Sequence, residues 1–265
     1  MDIRGSTDDA FLTCTVGEGV ATVTLEQGAL DITTTRTTRD NFLALLTELE
    51  RMDEVRALLL VNAAAYPGVE GQRRLFTTLT DAGSAPEADR ERLLSLEEHA
   101  RYRILVRLQG FAKPVVSAMQ GDIAAPFFGM SLSLPLRLAA SDMSLVFPRV
   151  DFGFPPGWPL GLYLRRYVGQ GRAAEMLLSG RSFDAETLLE MGLLHEVCEP
   201  GRLPARGVER AAELGRRTGP QLAGVNRCLS PGAGEILDSF NESLAAMREA
   251  LHASSKQAAG QRRTR

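Results

Sequence analysis

The chain is short of the residues that build disulfides, metal centres and aromatic platforms. It has three cysteines, three histidines and one tryptophan among 265 residues. Cys14, Cys198 and Cys228 are far apart and odd in number, so neither a disulfide framework nor a CxxC metal site is expected. No two of His99, His195 and His252 share a helical turn, so no zinc or iron site is expected either. No run approaches the roughly 20 apolar residues of a membrane span. The polar, acidic start "MDIRGSTDDAF" lacks the apolar segment of a secretory signal, so the expected location is the cytoplasm. A basic field is missing as well. The net charge is −3, and the pI is about 5.8, which argues against a nucleic-acid partner. The basic end "GQRRTR" reads as a solvated tail.

What is present suits a globular protein with a sizeable core: 44% hydrophobic and 24% charged residues. "LTCTVGEGVATVTLEQ" alternates around a glycine-containing turn and predicts a hairpin of strands over about 12–16 and 20–25. Thr37 or Thr38 then caps a helix on which Phe42, Leu45, Leu46, Leu49 and Met52 recur at helical spacing. "RALLLVNA" is the short apolar run of a buried parallel strand. Residues 62–88 read as irregular, with Pro and Gly in "AAYPGVEGQ" and a solvated "DAGSAPEAD". A helix over about 89–109 carries Leu93, Leu96, Ala100, Ile104 and Leu108. Further short strands are expected at "KPVVSAM", "LRLAAS", "SLVF" and "LLHEVCE". The last helix, about 235–252, repeats Ile236, Phe240, Leu244, Met247 and Leu251. Strand–helix–strand units early and helices late make the chain α/β. The division read from it is a core over 1–200 and a helical region over 201–265.

Periodicity identifies no reaction, but one segment raises a chemical question. "GDIAAPFFGMSL" (121–132) reads as a turn feeding an apolar helix, with Pro126 in its first turn. A helix start offers unpaired N–H groups to anions and oxyanions. Pro126 removes one of them.

"KPVVSAMQG", "FGFPPG" and "YVGQGRAAEMLLSGRSFDAETLLEMGLLHEV" together resemble the crotonase superfamily, the enoyl-CoA hydratase/isomerase group, and the hairpin, "GALD" and "RALLLVNA" fit as well. The resemblance implies a spiral of ββα units with a C-terminal helical region that builds a homotrimer or a hexamer. It implies an acyl thioester ligand, carried on coenzyme A or on the phosphopantetheine of a carrier protein, with no separate cofactor and no metal. Ala29 and Leu30 fall where the resemblance places the cofactor part of that ligand. Two backbone N–H groups are implied to hold the thioester oxygen as it becomes an enolate. The first falls at Gly68 or Val69 in "YPGVEG"; the second belongs to a glycine triplet, here Ala125, Pro126 and Phe127. The middle position, Pro126, has no N–H, so Phe127 is the nearest replacement donor.

The departures continue at the acid–base positions. Where hydratases carry two glutamates, this chain has Gly129 and Arg149. Paired carboxylates activate water and deliver a proton, so ordinary hydration is not expected. The polyketide-pathway crotonases that decarboxylate a glutaconyl-type thioester during β-branching also lack both glutamates, and "SAMQG" and "FGFPPG" resemble that branch. Its histidine after "QG" is Asp122 here, and its glycine triplet is absent.

The candidate catalytic residues are therefore Asp122, Glu70 and Arg149. Each has a plainer reading: Asp122 closes the turn and caps the helix, Glu70 is a solvated loop residue, and Arg149 pairs with Asp151 or another carboxylate. Tyr66, Pro126, Phe128, Trp158 and His99 are candidates for the substrate pocket, with core packing or surface exposure as the alternative. Tyr102 shares the helix of His99; His195 and His252 fall away from the site. Two functions follow. One is an enzyme of enolate chemistry on a biosynthetic thioester, by decarboxylation, isomerisation or dehydration. The other is a non-catalytic crotonase that binds thioesters or supports a partner enzyme, or a scaffold reused for another ligand.

Overall fold

The computed structural model describes residues 2–4, 11–26, 28–29, 31–64, 68–81, 83–217 and 219–263. The chain opens with strands β1 (Asp2–Arg4), β2 (Leu12–Gly17) and β3 (Val20–Leu25). β2 and β3 are antiparallel and in register from Leu12 opposite Leu25 to Gly17 opposite Val20. The two residues between them, Glu18 and Gly19, both have positive φ. That geometry matches the twist of a two-residue hairpin.

Helices α1 (Asp31–Thr34) and α2 (Arg36–Arg51) follow, then β4 (Ala57–Asn62), buried along its whole length. α2 buries Phe42, Leu45, Leu46 and Leu49, as the periodicity predicts. Its N-cap is Thr35 rather than Thr37 or Thr38, and that side chain makes no capping bond. Helix α3 (Gly68–Thr80) occupies the stretch expected to be irregular. It forms because Gly68, Gly71, Gln72, Leu75, Phe76 and Leu79 line one buried face. Its two glycines and five threonine and arginine residues mask that face in the sequence.

Helix α4 (Glu87–Gln109) comes next, then β5 (Val115–Met119), β6 (Asp122–Ala124), α5 (Ala125–Ser131), β7 (Leu136–Ala140) and β8 (Ser144–Val146). The chain continues through α6 (Leu160–Ser179), β9 (Phe183–Asp184), α7 (Ala185–Glu190) and β10 (Glu196–Cys198). It ends with α8 (Leu203–Leu214), α9 (Gly219–Leu229) and α10 (Ala233–Arg263).

Seven strands form the main sheet in the order β1-β2-β3-β4-β5-β7-β10, and β6-β8-β9 form a smaller one. From β3 onward the main sheet is parallel. One of its faces is covered by α8, through Leu203 and Ala211 against Val20, Leu59 and Val116. The other carries α2 and α4, through Phe42, Leu46, Ile104 and Leu108. The α/β architecture read from the sequence is the observed one. Among the described residues no helix is long and apolar enough to cross a membrane.

The stripe on α10 needs a correction. Ile236, Phe240, Leu244, Met247 and Leu251 were expected to need a second subunit to cover them. All five are buried within the single chain. The first three pack into the cluster that contains Trp158 and Leu160, and the last two pack against Phe76, Leu79 and Leu94. The stripe therefore supplies no argument for assembly.

Candidate functional site

Two chain segments converge beyond the ends of β4 and β5, and Asn62 locks them together. Its side-chain amide donates to the Gln120 carbonyl (2.9 Å) and accepts from the Gln120 N–H (3.0 Å), while the Gln120 side chain donates to the Asn62 carbonyl (2.8 Å). Past this clamp the chain enters α3 on one side, at Gly68, and α5 on the other, at Ala125. A cavity of about 50 Å³ lies between them, lined by Ala29, Thr33, Gly68, Gln72, Arg101, Ala124, Pro126, Phe127 and Met130. Gly68 opens a helix of 13 residues, and first-turn N–H groups have no intrahelical acceptor and carry the positive end of the dipole. No carboxylate is among the described residues that line this cavity.

Behind Gln72 and Arg101 stands a cluster of buried charge. Arg149, Glu97 and Glu98 are each 0% exposed and Arg101 2%. Arg149 donates to Glu98 (2.7 Å), to both oxygens of Glu97 (3.0 and 3.1 Å) and to the side-chain Oε1 of Gln72 (2.9 Å). Arg101 donates to Glu97 and Glu98 (2.5 Å each), and Gln72 Nε2 donates to Glu97 (2.8 Å). Two cations thus face two anions. Burial pushes the Glu97 carboxyl up, but the charges of Arg101 and Arg149 and their hydrogen bonds outweigh it, and its pKa falls to about 2. Burial also opposes both guanidinium charges. In Arg101 the two glutamates win and raise the pKa; in Arg149 burial and repulsion by Arg101 lower it. Glu98 Oε2 and Arg101 Nε have no hydrogen-bond partner among the described residues.

The two positions where a carboxylate pair is expected are closed in different ways. A Cβ at Gly129 would lie 2.7 Å from the Leu160 backbone N and Cα, where α5 packs on the start of α6. No side chain fits there without moving a helix. The second position, Arg149, is filled by the cluster. A Cβ at Gly157 (φ +101°) would come within 2.8 Å of Arg149 Nη1 and 3.1 Å of Pro126 Cγ, so the cluster reaches the start of α5.

The candidate catalytic residues are not brought together. Glu70 and Asp122 line an outer cleft of about 590 Å³ with Val69, Arg73, Ser144 and Ser182, and both are exposed. Arg149 is in the interior. Asp122 does not cap α5: it begins β6, opposite Ser144, and the cap position is Ala124. Asp151 pairs with Arg73 (3.2 Å) rather than with Arg149. Gly68 and Val69, expected in a loop, are the first two residues of α3; Gly68 faces the inner cavity and Val69 the outer cleft.

The pocket candidates divide similarly. Pro126 and Phe127 line the inner cavity, as does buried Ala29. Phe128 is 0% exposed in the core. Trp158 is buried against Tyr102 and Phe240, and its indole N–H has no partner among the described residues. It borders an open groove of about 890 Å³ between α6 and α10 rather than the inner cavity. His99 is exposed, with its ring on Phe240 at 5.1 Å and its Nδ1 within 2.7 Å of the Ser95 carbonyl. Tyr66 and Leu30 lie outside the described residues.

Sequence reading missed Gln72, Glu97, Glu98 and Arg101. The signal was in α4. Its buried face runs through Arg90, Leu94, Glu97, Glu98, Ala100, Arg101, Ile104, Leu105 and Leu108, so Ala100, Ile104 and Leu108 of the expected stripe are on it while Leu93 and Leu96 are half-buried beside it. Charges at helical spacing between Leu94 and Ile104 mark a buried polar site once the stripe is set by its apolar ends.

The family model described as enoyl-CoA hydratase/isomerase matches residues 15–230. Curated relatives include a "Probable enoyl-CoA hydratase" of Bacillus subtilis (strain 168), 26% identical over 126 residues, which are 48% of this chain and 49% of that protein. The 2,3-dehydroadipyl-CoA hydratase of Escherichia coli (strain K12) is 24% identical over 78% of this chain and 80% of its own length. The trans-2-decenoyl-[acyl-carrier-protein] isomerase of Streptococcus mutans is 25% identical over 71% and 69%. The match thus spans only about half of the first of these relatives. Among solved structures, an enoyl-CoA hydratase from Bacillus halodurans superposes with a TM-score of 0.73, 16% identity and coverage of 94% and 98%.

Proposed function

Since the chain belongs to the enoyl-CoA hydratase/isomerase family, we propose that it binds an acyl thioester and acts on it without a hydratase's carboxylate pair. The observation that carries this reading is the lining of the inner cavity: Gly68 at a helix start, Gln72 and Arg101, and no described carboxylate. A thioester oxygen at Gly68 would meet a backbone donor and the helix dipole, an interaction worth on the order of 3 kcal/mol when negative charge develops. Glu97 stands behind that lining, bonded to Gln72 and Arg101, and at a pKa of about 2 it holds no proton to deliver near neutrality. Among the described residues that line the cavity, none is a carboxylate that could activate water for addition to a double bond.

Decarboxylation fits these limits best. Loss of CO₂ leaves the electron pair as an enolate, needs no base, and ends with a proton taken from solvent. Isomerisation and dehydration come after it. The proposed substrates are coenzyme A or carrier-protein thioesters of a biosynthetic pathway, in keeping with the β-branching crotonases that also lack both glutamates. The ligand supplies the coenzyme A or phosphopantetheine. A homotrimer or hexamer is the proposed assembly, and light scattering at micromolar concentration tests it.

One observation favours the second reading, binding without turnover: Pro126 lines the cavity where a second N–H donor is expected. Incubating the protein and Pro126→Gly with a panel of acyl and carboxyacyl thioesters, with mass spectrometry of the products, separates the two. Product formation by the native chain supports the enzyme. Binding by both proteins without product supports the carrier or scaffold.

A further inference from the structure

A second cavity lies behind the first. It measures about 80 Å³, roughly half the ~150 Å³ of an engineered apolar cavity that takes up benzene. Leu25, Phe42 and Leu60 wall it on one side and Ile104 and Leu108 of α4 on the other, all buried. No charged residue is among the described residues that line it. Of its hydroxyls, that of Ser131 already donates to the Phe128 carbonyl (2.7 Å).

Ala29, Thr33, Phe127 and Met130 line both cavities. Phe127 and Met130 are half-buried, and each packs against both of the large core clusters that meet here. They form the partition. Methionine has three rotatable bonds and adapts to new shapes at little cost.

The polar side of the first cavity is unsuited to an apolar chain. Gln72 and Arg101 close it, and an alkyl group pressed there would strip partners from buried charge.

We propose that the second cavity receives the tail of a short, unbranched, uncharged acyl chain, with Phe127 and Met130 as the partition that it displaces. This rests on the thioester reading of the first cavity. The volume suits about two or three carbons beyond the head, so the chain selects short acyl groups.

The test is binding by calorimetry of acetyl-, butanoyl- and octanoyl-coenzyme A to the full-length protein and two variants, with melting curves to establish that each is folded. Native protein should bind butanoyl-coenzyme A roughly tenfold more tightly than acetyl-coenzyme A, from two buried methylenes, and octanoyl-coenzyme A less tightly than butanoyl. Ile104→Phe fills the cavity and should abolish the butanoyl advantage while leaving acetyl affinity unchanged. Phe127→Ala opens the partition and should move the preference to octanoyl, an arm that decides the matter if Ile104→Phe does not fold. If no thioester binds, the reading of the first cavity falls and this one with it. If acetyl-coenzyme A binds but butanoyl binds no better, or Phe127→Ala leaves the length preference unmoved, this inference alone is overturned.

Discussion

Two pairs of carboxylates flank α3, and their surroundings give them opposite properties. Glu97 and Glu98 are inside, each 0% exposed, held by Arg101, Arg149 and Gln72. Glu70 and Asp122 are outside, in a wet cleft with Arg73. Glu97 exchanges no proton near neutrality, because Arg101 and Arg149 hold its carboxyl ionised and lower its pKa to about 2. The outer pair faces solvent, where neighbouring charges are screened. Neither arrangement is an acid–base pair beside the Gly68 helix start. Carboxylates near a pocket acquire a catalytic role from their environment, and here the environment assigns the inner pair to structure.

The largest expected effect comes from breaking the inner set. Arg149→Glu would put a third carboxylate beside Glu97 and Glu98 with Arg101 as their cation. Removing one partner of a buried ion pair costs about 3–5 kcal/mol, and this reversal should cost at least that in urea unfolding. Asp122→Ala and Glu70→Ala should each stay within about 0.5 kcal/mol. Equal losses inside and outside would erase the contrast.

Acid titration sharpens it next. Glu97 has a folded pKa lowered from 4.5 to about 2. In that window the unfolded chain binds more protons, so stability rises with pH. Its contribution is full above about pH 4.5 and is lost as pH falls towards 2. That should remove on the order of a few kcal/mol, and Glu97→Gln should flatten the dependence in pH-dependent unfolding. A smaller effect, about 1–3 kcal/mol from overpacking, is expected for Gly129→Ala, whose Cβ would strike the Leu160 backbone. The smallest is Arg73→Ala, which breaks the exposed pair with Asp151 and should cost under about 1 kcal/mol.

Much of the fold was legible because its signals are local. The β2–β3 hairpin, α2 and the buried run of β4 followed from alternation, helical spacing and an apolar run. α3 was hidden because the face that buries it is built from glycines and a glutamine as well as leucines. The site was half legible. Gly129 and Arg149 stand where the resemblance implies a carboxylate pair. The surroundings of Arg149 were not readable, because it finds Glu97 and Glu98 from a helix some fifty residues earlier in the chain. Asp122, Glu70 and Arg149 looked like one set because sequence order places all three near the implied pocket. The alternation of faces on α3 puts Glu70 outside, while Arg149 turns inward to Gln72.

The central claim is a thioester site with no acid–base carboxylates, and one measurement tests it most directly. Purified protein is titrated with crotonyl-coenzyme A, and the same samples are followed for hydration. The account predicts saturable binding with the enoyl thioester recovered unchanged. Hydration at a rate typical of enzymes, on the order of 10 s⁻¹, would contradict it.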